Sequence, residues 1–268
     1  MTTSDLSKNK PMGQLFLVPA PLDFGCDSQT PLTPLTDVLP MGTLQVAARL
    51  SYWVCENAKS TRAYLKRVDA ICPLAQTLQT LNIQELPREV HKKGDHPGSL
   101  GAGFDAKPLL AAALQGFDVG LVSEAGMPAI ADPGSSVVRA AHALGITVVP
   151  LVGPISLMLA LAASGLNGQS FAFVGYLPQD SAQRTQRIKE LETLALKTSQ
   201  TQLFIETPYR NAALQQALLQ TLQPNTRLAV SCGITLATAM THSATISTWR
   251  RHPPQLPLSL PAVFGIGN

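Results

Sequence analysis

Residues 117–165 read FDVGLVSEAGMPAIADPGSSVVRAAHALGITVVPLVGPISLMLALAASG, and the fold follows from them. Val119, Leu121 and Val122 are a short apolar run suited to a strand buried on both faces. Gly126, Pro128, Pro133 and Gly134 then exclude regular structure. A helix is predicted next, with Asp132 as its N-cap and Pro133 at its first position. Val137, Val138, Ala141 and Leu144 recur along it at helical spacing, and Gly145 stands just past its end. Residues 146–149 predict the next strand, Gly153 and Pro154 a tight turn, and residues 155–163 an apolar helix ended by Gly165. Strand, loop, helix, strand, loop, helix is the unit of a parallel α/β sheet.

The two loops, residues 123–132 and 151–156, follow the carboxyl ends of their strands. If the strands are neighbours, both loops open on the sheet edge where open α/β sheets bind ligands. Ala125, Gly126 and Ala129 would let a ligand lie against main chain there. The second loop is no longer than a connection needs, whereas the first is.

The motifs VSEAGMPAIADPG, VVPLVGPISLMLALAASGL, GQSFAFVGYLP and QLFIETPYR, in that order, resemble the tetrapyrrole (corrin/porphyrin) methylase superfamily. Within it the chain is most similar to the branch of ribosomal RNA small-subunit 2′-O-ribose methyltransferases. The similarity runs from about Gln14 onward and is dense from Gly120 to Asn211. The resemblance implies a two-domain α/β enzyme, usually a homodimer, that binds S-adenosylmethionine between its domains. It also implies that Leu22, Gly126, Met127, Pro128, Ile130, Ser156, Leu157, Ile205, Ser231 and Cys232 meet the cofactor. Two features depart from the ribosomal pattern. Met127 stands where some relatives carry Asp or Thr, and the first turn is the proline-interrupted LDFGCDSQTPLTPL.

Composition sets the frame for this. Of 268 residues, 45% are hydrophobic and 14% charged, which is a globular balance with enough chain for a sizeable core. The net charge of +3 is spread out, so no basic tract marks a nucleic-acid footprint. The four cysteines (Cys26, Cys55, Cys72, Cys232) show no metal-ligand spacing and read as thiols in a reducing compartment. No run is long enough to span a bilayer and the start lacks a signal-peptide core. A cytoplasmic protein, with no membrane partner and no metal, is the expectation.

The chain divides on this reading into a disordered leader (1–13), an N-terminal domain with a parallel sheet (14–166), and a smaller α+β domain with a mixed sheet (167–268). Residues 15–18 read as the first strand, 36–50 as helical but interrupted by Pro40 and Gly42, and 52–55 as a strand. The stretch 73–104 is mixed and polar. It reads either as a surface loop or as a glycine-hinged lid carrying His91, Lys92, Lys93 and His96. Its GAGFDA is set aside as a dinucleotide fingerprint because no strand leads into it. In the second domain, strands are expected at 171–174, 202–206, 227–234, 245–249 and 261–266, with helices up to about 196 and over 212–222.

Methyl transfer from a sulfonium requires the protein mainly to hold donor and acceptor in line and to exclude water. For a hydroxyl acceptor, a base or positioning group helps. Glu206 with Arg210, Glu56 with Arg62, and Glu124 are the candidates, the arginines being suited to phosphate. Each pair has a second reading: Glu206 and Arg210 as a strand end whose charges satisfy a domain interface, and Glu56 and Arg62 as a solvated helix face with one Glu–Arg pair. Three function classes stay open: an RNA methyltransferase, a methyltransferase acting on a tetrapyrrole or other small molecule, and a binding protein that has lost catalysis.

Overall fold

The computed structural model describes residues 11–23, 32–93, 95–96 and 103–268, with backbone alone for 91–93. The expected leader lies outside these residues up to position 10. Gly13, expected to close the leader, instead belongs to the fold. Its N–H donates to Ala113 O at 2.8 Å, and a Cβ there would stand 2.0 Å from Phe117 O.

Two compact units form: Met1–Pro21 with Pro34–Pro154, and Leu22–Thr33 with Ile155–Asn268. The division falls at 154/155, not at 166/167. The reason lies in the apolar helix 156–164, whose Leu157 and Ala160 pack with Val263 of the second unit.

The first unit contains, in order, β1 (Leu15–Leu17), α1 (Leu35–Val38), α2 (Met41–Arg49), β2 (Tyr52–Cys55), α3 (Ala58–Asp69), β3 (Asn82–Glu85), α4 (Arg88–Lys93), a 3-10 turn (Lys107–Leu110), α5 (Ala111–Leu114), β4 (Val119–Val122), α6 (Ser135–Ala143) and β5 (Val148–Pro150). The strands are all parallel, as expected, and lie in the order β3-β2-β4-β1-β5. Alternation along each strand divides the core in two. Phe16, Trp53, Cys55 and Val122 meet Leu44, Leu65 and Val68 of α2 and α3, while Leu15, Val54 and Leu121 meet Leu110, Val137 and Ala141. Burial of these aliphatic side chains is worth about 1.5–3 kcal/mol each before chain entropy is set against it.

The topology positions a site. From β1 and β2 the chain crosses leftward in that order to α2 and α3 on one face. From β4 it crosses rightward to α6 on the other. The loop after β4 therefore leaves toward the face opposite to the loops on either side of it, which is a topological switch point.

Local expectations differ at two places in this unit. The polar stretch 73–104 holds β3 and α4. β3 is NIQE, a four-residue edge strand paired only with β2, so it carries no apolar run to announce it. Helix α6 begins at Ser135, so Asp132 is not its cap; the capping carboxylate is that of Asp95.

The second unit runs α7 (Ser156–Ser164), β6 (Phe171–Tyr176), α8 (Ser181–Thr198), β7 (Thr201–Glu206), a 3-10 turn (Pro208–Arg210), α9 (Asn211–Thr221), β8 (Arg227–Cys232), β9 (Met240–Thr245), α10 (Ile246–Arg251) and β10 (Ala262–Gly267). Its sheet has the order β6-β7-β10-β8-β9, with β6 parallel to β7 and the other pairs antiparallel, the mixed sheet expected. Phe204 and Phe264 stack at 5.9 Å in the core under α8, α9 and α10. The expected strand at 245–249 is instead a helix. Thr245 ends β9 and caps α10 by accepting from Thr248 N, which leaves Ile246 and Trp249 three apart on one buried face. The Trp249 indole N–H donates to Leu228 O at 2.8 Å.

Candidate functional site

In the first unit the site is built on the carboxyl ends of β1, β2 and β4. After β1, Ala20 exchanges main-chain hydrogen bonds with Gly126 of the loop after β4, at 2.9 and 3.0 Å. Gly126 does so at φ 70° and is buried. Next to it Met127 is half-buried, Pro128 buried and Ile130 exposed. Ala129 and Ala131 hold φ 65° and 64°, left-handed values that residues with a Cβ seldom adopt. Such strain collects at functional segments.

Beside this loop three carboxyl groups gather. Glu56, just past β2, accepts from Glu124 N at 3.1 Å, and Glu124 accepts from Ser60 Oγ at 3.1 Å. Asp132 is pushed up to about 7, first by burial and then by the negative charge of Glu56 and Glu124. The Ser123 hydroxyl at the base of the loop is buried without a hydrogen-bond partner. Glu56 and Glu124 were named from the sequence as candidates. Asp132 was named there as a helix cap, and only the juxtaposition of β2 and β4 shows it as part of an acidic edge. Arg62 is exposed and its Nη1 donates back to Ala58 O of its own helix at 3.4 Å.

In the second unit, Ile205, Val263 and Ser231 are register neighbours on three adjacent strands. Ile205 and Val263 pack on the α7 face, where Leu157 is buried at 3% exposure. Ser231 Oγ accepts from Thr241 Oγ1 at 2.8 Å. Cys232 faces the opposite core with Phe204 and Trp249, and burial pushes its thiol up to about 11. Its side chain, and that of Leu157, are thus spent on packing. Leu22 is half-buried at the start of the turn that belongs to this unit, and Ser156 opens α7.

Glu206 and Arg210 are brought together as an ion pair at the end of β7. Glu206 Oε1 accepts from Thr207 N (2.6 Å), Thr207 Oγ1 (3.1 Å), Arg210 Nε (2.9 Å) and Arg210 Nη2 (2.7 Å). These bonds fix the Glu206 carboxylate at the end of β7. His91, Lys92 and Lys93 lie on α4, with their side chains outside the described residues; His96 is exposed. Among the described residues no group of His, Cys, Asp and Glu could hold a metal ion, and no helix is long and apolar enough to cross a membrane.

A parallel sheet with a strained loop at its switch point, followed by a mixed-sheet unit, defines a two-unit α/β protein. Residues 54–248 match the model of the family Tetrapyrrole (Corrin/Porphyrin) Methylases, and the chain belongs to that family. A protein of Mesorhizobium japonicum named ribosomal RNA small subunit methyltransferase I is 32% identical over 207 residues, 77% of this chain and 62% of that protein. A protein of the same name from Vibrio cholerae is 40% identical over 117 residues, 44% of this chain and 39% of that one. The matched stretch thus spans less than two thirds of either relative. In fold, the methyltransferase CobJ is similar with a TM-score of 0.55 at 16% identity, over 96% of this chain and 94% of that one.

Proposed function

We propose that the chain is an S-adenosylmethionine-dependent methyltransferase whose acceptor is a ribose 2′-hydroxyl of small-subunit ribosomal RNA. The observation that carries this reading is the likeness to the Mesorhizobium relative across 77% of the chain. Support for the cofactor comes from the donor set at the edge of the first sheet. Left-handed backbone at Gly126, Ala129 and Ala131 shapes the loop, and Glu56 and Glu124 beside it supply negative charge suited to a sulfonium cation. The residues present fit that group.

S-Adenosylmethionine held there would supply an electrophilic methyl group. Gly126, Met127 and Pro128 would hold it through main chain, and Ile130 through its exposed side chain. Glu56, Glu124 and Asp132 are the carboxyl groups assigned to orient the acceptor hydroxyl or take its proton. Glu206 and Arg210 are assigned to structure. A homodimer in the cytoplasm completes the proposal.

The test offers labelled S-adenosylmethionine with small ribosomal subunits from a strain lacking the modification, and in parallel with a panel of porphyrinoids. Label in the RNA is expected. Label in a porphyrinoid alone overturns the acceptor in favour of a tetrapyrrole. Absence of label in both, together with no calorimetric binding of S-adenosylhomocysteine, overturns the activity.

A further inference from the structure

The loop between β4 and α6 carries left-handed backbone at Ala129 and Ala131, which persists only where surrounding contacts over-determine it. One anchor is the Ala20 and Gly126 pair at the loop's beginning. The other is at its end. Gly134, at φ 135°, stands at the capping position of α6 without a side chain to cap it. The carboxylate of Asp95, far upstream in the chain and 4% exposed, fills that place. Its Oδ2 accepts from Gly134 N at 2.9 Å, Ser136 N at 2.8 Å and Ser136 Oγ at 2.7 Å, while Oδ1 accepts from Ser135 Oγ at 2.8 Å. Arg139 Nη2 donates to Asp95 O, and Arg139 Nη1 to Ser135 Oγ at 3.1 Å, so Asp95 is itself held against α6.

We infer that Asp95 is a positioning residue, whose carboxylate fastens the end of the 123–134 loop and so keeps Ala129 and Ala131 in the conformation that receives the cofactor. The inference rests on the reading that this loop binds the cofactor. Oδ2 accepts from both main-chain donors, Gly134 N and Ser136 N, so removing the carboxyl group leaves both without their acceptor, whereas an asparagine could keep its oxygen there and turn its NH2 to the Ser135 hydroxyl. Burial by itself would raise the Asp95 carboxyl, yet the bonds from Ser136, Gly134 and Ser135 outweigh it and hold the group below its ordinary value.

The experiment compares the full chain with Asp95→Ala by backbone amide hydrogen exchange and by calorimetry with S-adenosylhomocysteine. Exchange at Gly134 and Ser136 should quicken at least ten-fold, with the β4 amides unchanged, and the dissociation constant should rise by roughly ten-fold or more. Adding Ala131→Gly, which relieves the left-handed position, should recover several-fold of that loss in the Asp95→Ala background, a larger gain than it gives the parent. Ser136→Ala removes one hydroxyl donor and leaves the carboxylate; should Asp95→Ala not fold, this variant carries the test with a rise of about three-fold. Unchanged affinity in a protein whose Gly134 and Ser136 amides exchange faster overturns the positioning role, as does an equal effect of Ala131→Gly in both backgrounds. If the parent chain binds no S-adenosylhomocysteine, the cofactor reading fails and exchange alone decides. Faster exchange then upholds Asp95 as the clamp of the loop, and unchanged exchange overturns it.

Discussion

Ala20 and Gly126 bond to each other through both main-chain pairs, N–H to O at 2.9 Å in one direction and 3.0 Å in the other. This closes the turn after β1 against the loop after β4 at the switch point of the first sheet. Only a residue at ease with φ 70° makes the contact without strain. Gly126→Val should therefore fold with a stability loss of about 1–3 kcal/mol and lose measurable S-adenosylhomocysteine binding. Calorimetry on the folded variant decides. Affinity within two-fold of the parent would remove Gly126 from the cofactor site.

The Glu206 carboxylate is 4% exposed at its side chain, and Arg210 supplies two of its bonds. Removing the guanidinium leaves a buried charge with only the Thr207 donors. Arg210→Ala should cost about 2–4 kcal/mol of stability and lower the melting temperature by several degrees. Arg210→Lys, keeping the charge without the forked geometry, should recover about half. If the stability of Arg210→Ala matches the parent while methyl transfer falls a hundred-fold, the pair belongs to catalysis after all.

Where a segment's pattern lay in its own residues, it was legible. LFLV, YWVC and VGLV announced β1, β2 and β4, and the glycines and prolines after Val122 announced the loop. β3 and β9 were not legible. NIQE and MTHSAT owe their strand conformation to pairing with β2 and β8, not to an apolar face of their own. The cap of α6 shows the same limit from the other side. Asp132 sits at the right distance in sequence, but Asp95 reaches the same amides through space. A carboxylate in a polar stretch has no local signature of such a role. The acidic edge was half legible. Glu56 and Glu124 could be named one by one, but their influence on Asp132 exists only because β2 and β4 are adjacent.

Gly120 sits in the middle of β4 beneath the Trp53 indole. A Cβ at this position would stand 2.7 Å from two ring carbons and 3.0 Å from Leu50 Cδ1. Trp53 cannot readily retreat, being 1% exposed with its N–H bonded to Leu50 O at 3.2 Å. Gly120→Ala should therefore destabilise the protein by about 1–3 kcal/mol through overpacking, against the small gain that replacing a strand glycine usually brings. Denaturant unfolding measures it. A stabilised Gly120→Ala variant would show that the ring has room to move.

Asp132 makes stability depend on pH in a definite direction. Its folded value of about 7 stands above the model-compound 3.8, so the folded state holds its proton more tightly than the unfolded chain. The associated stability is complete below pH 3.8 and is lost as pH rises through 7. Asp132→Asn stays neutral throughout and lacks this loss. Near pH 4 the variant and parent should melt together, and by pH 8 the variant should be the more stable, by at most about 4 kcal/mol. Asp95 contributes the opposite slope, since its lowered value gives stability that is lost as pH falls below 3.8, outside the window in which Asp132 acts. Melting temperatures of both proteins from pH 4 to pH 8 therefore isolate Asp132. Profiles that run parallel across that range would mean that neither burial nor the charges of Glu56 and Glu124 raise Asp132 in solution. The acidic edge would then lose the electrostatic argument for a cationic cofactor.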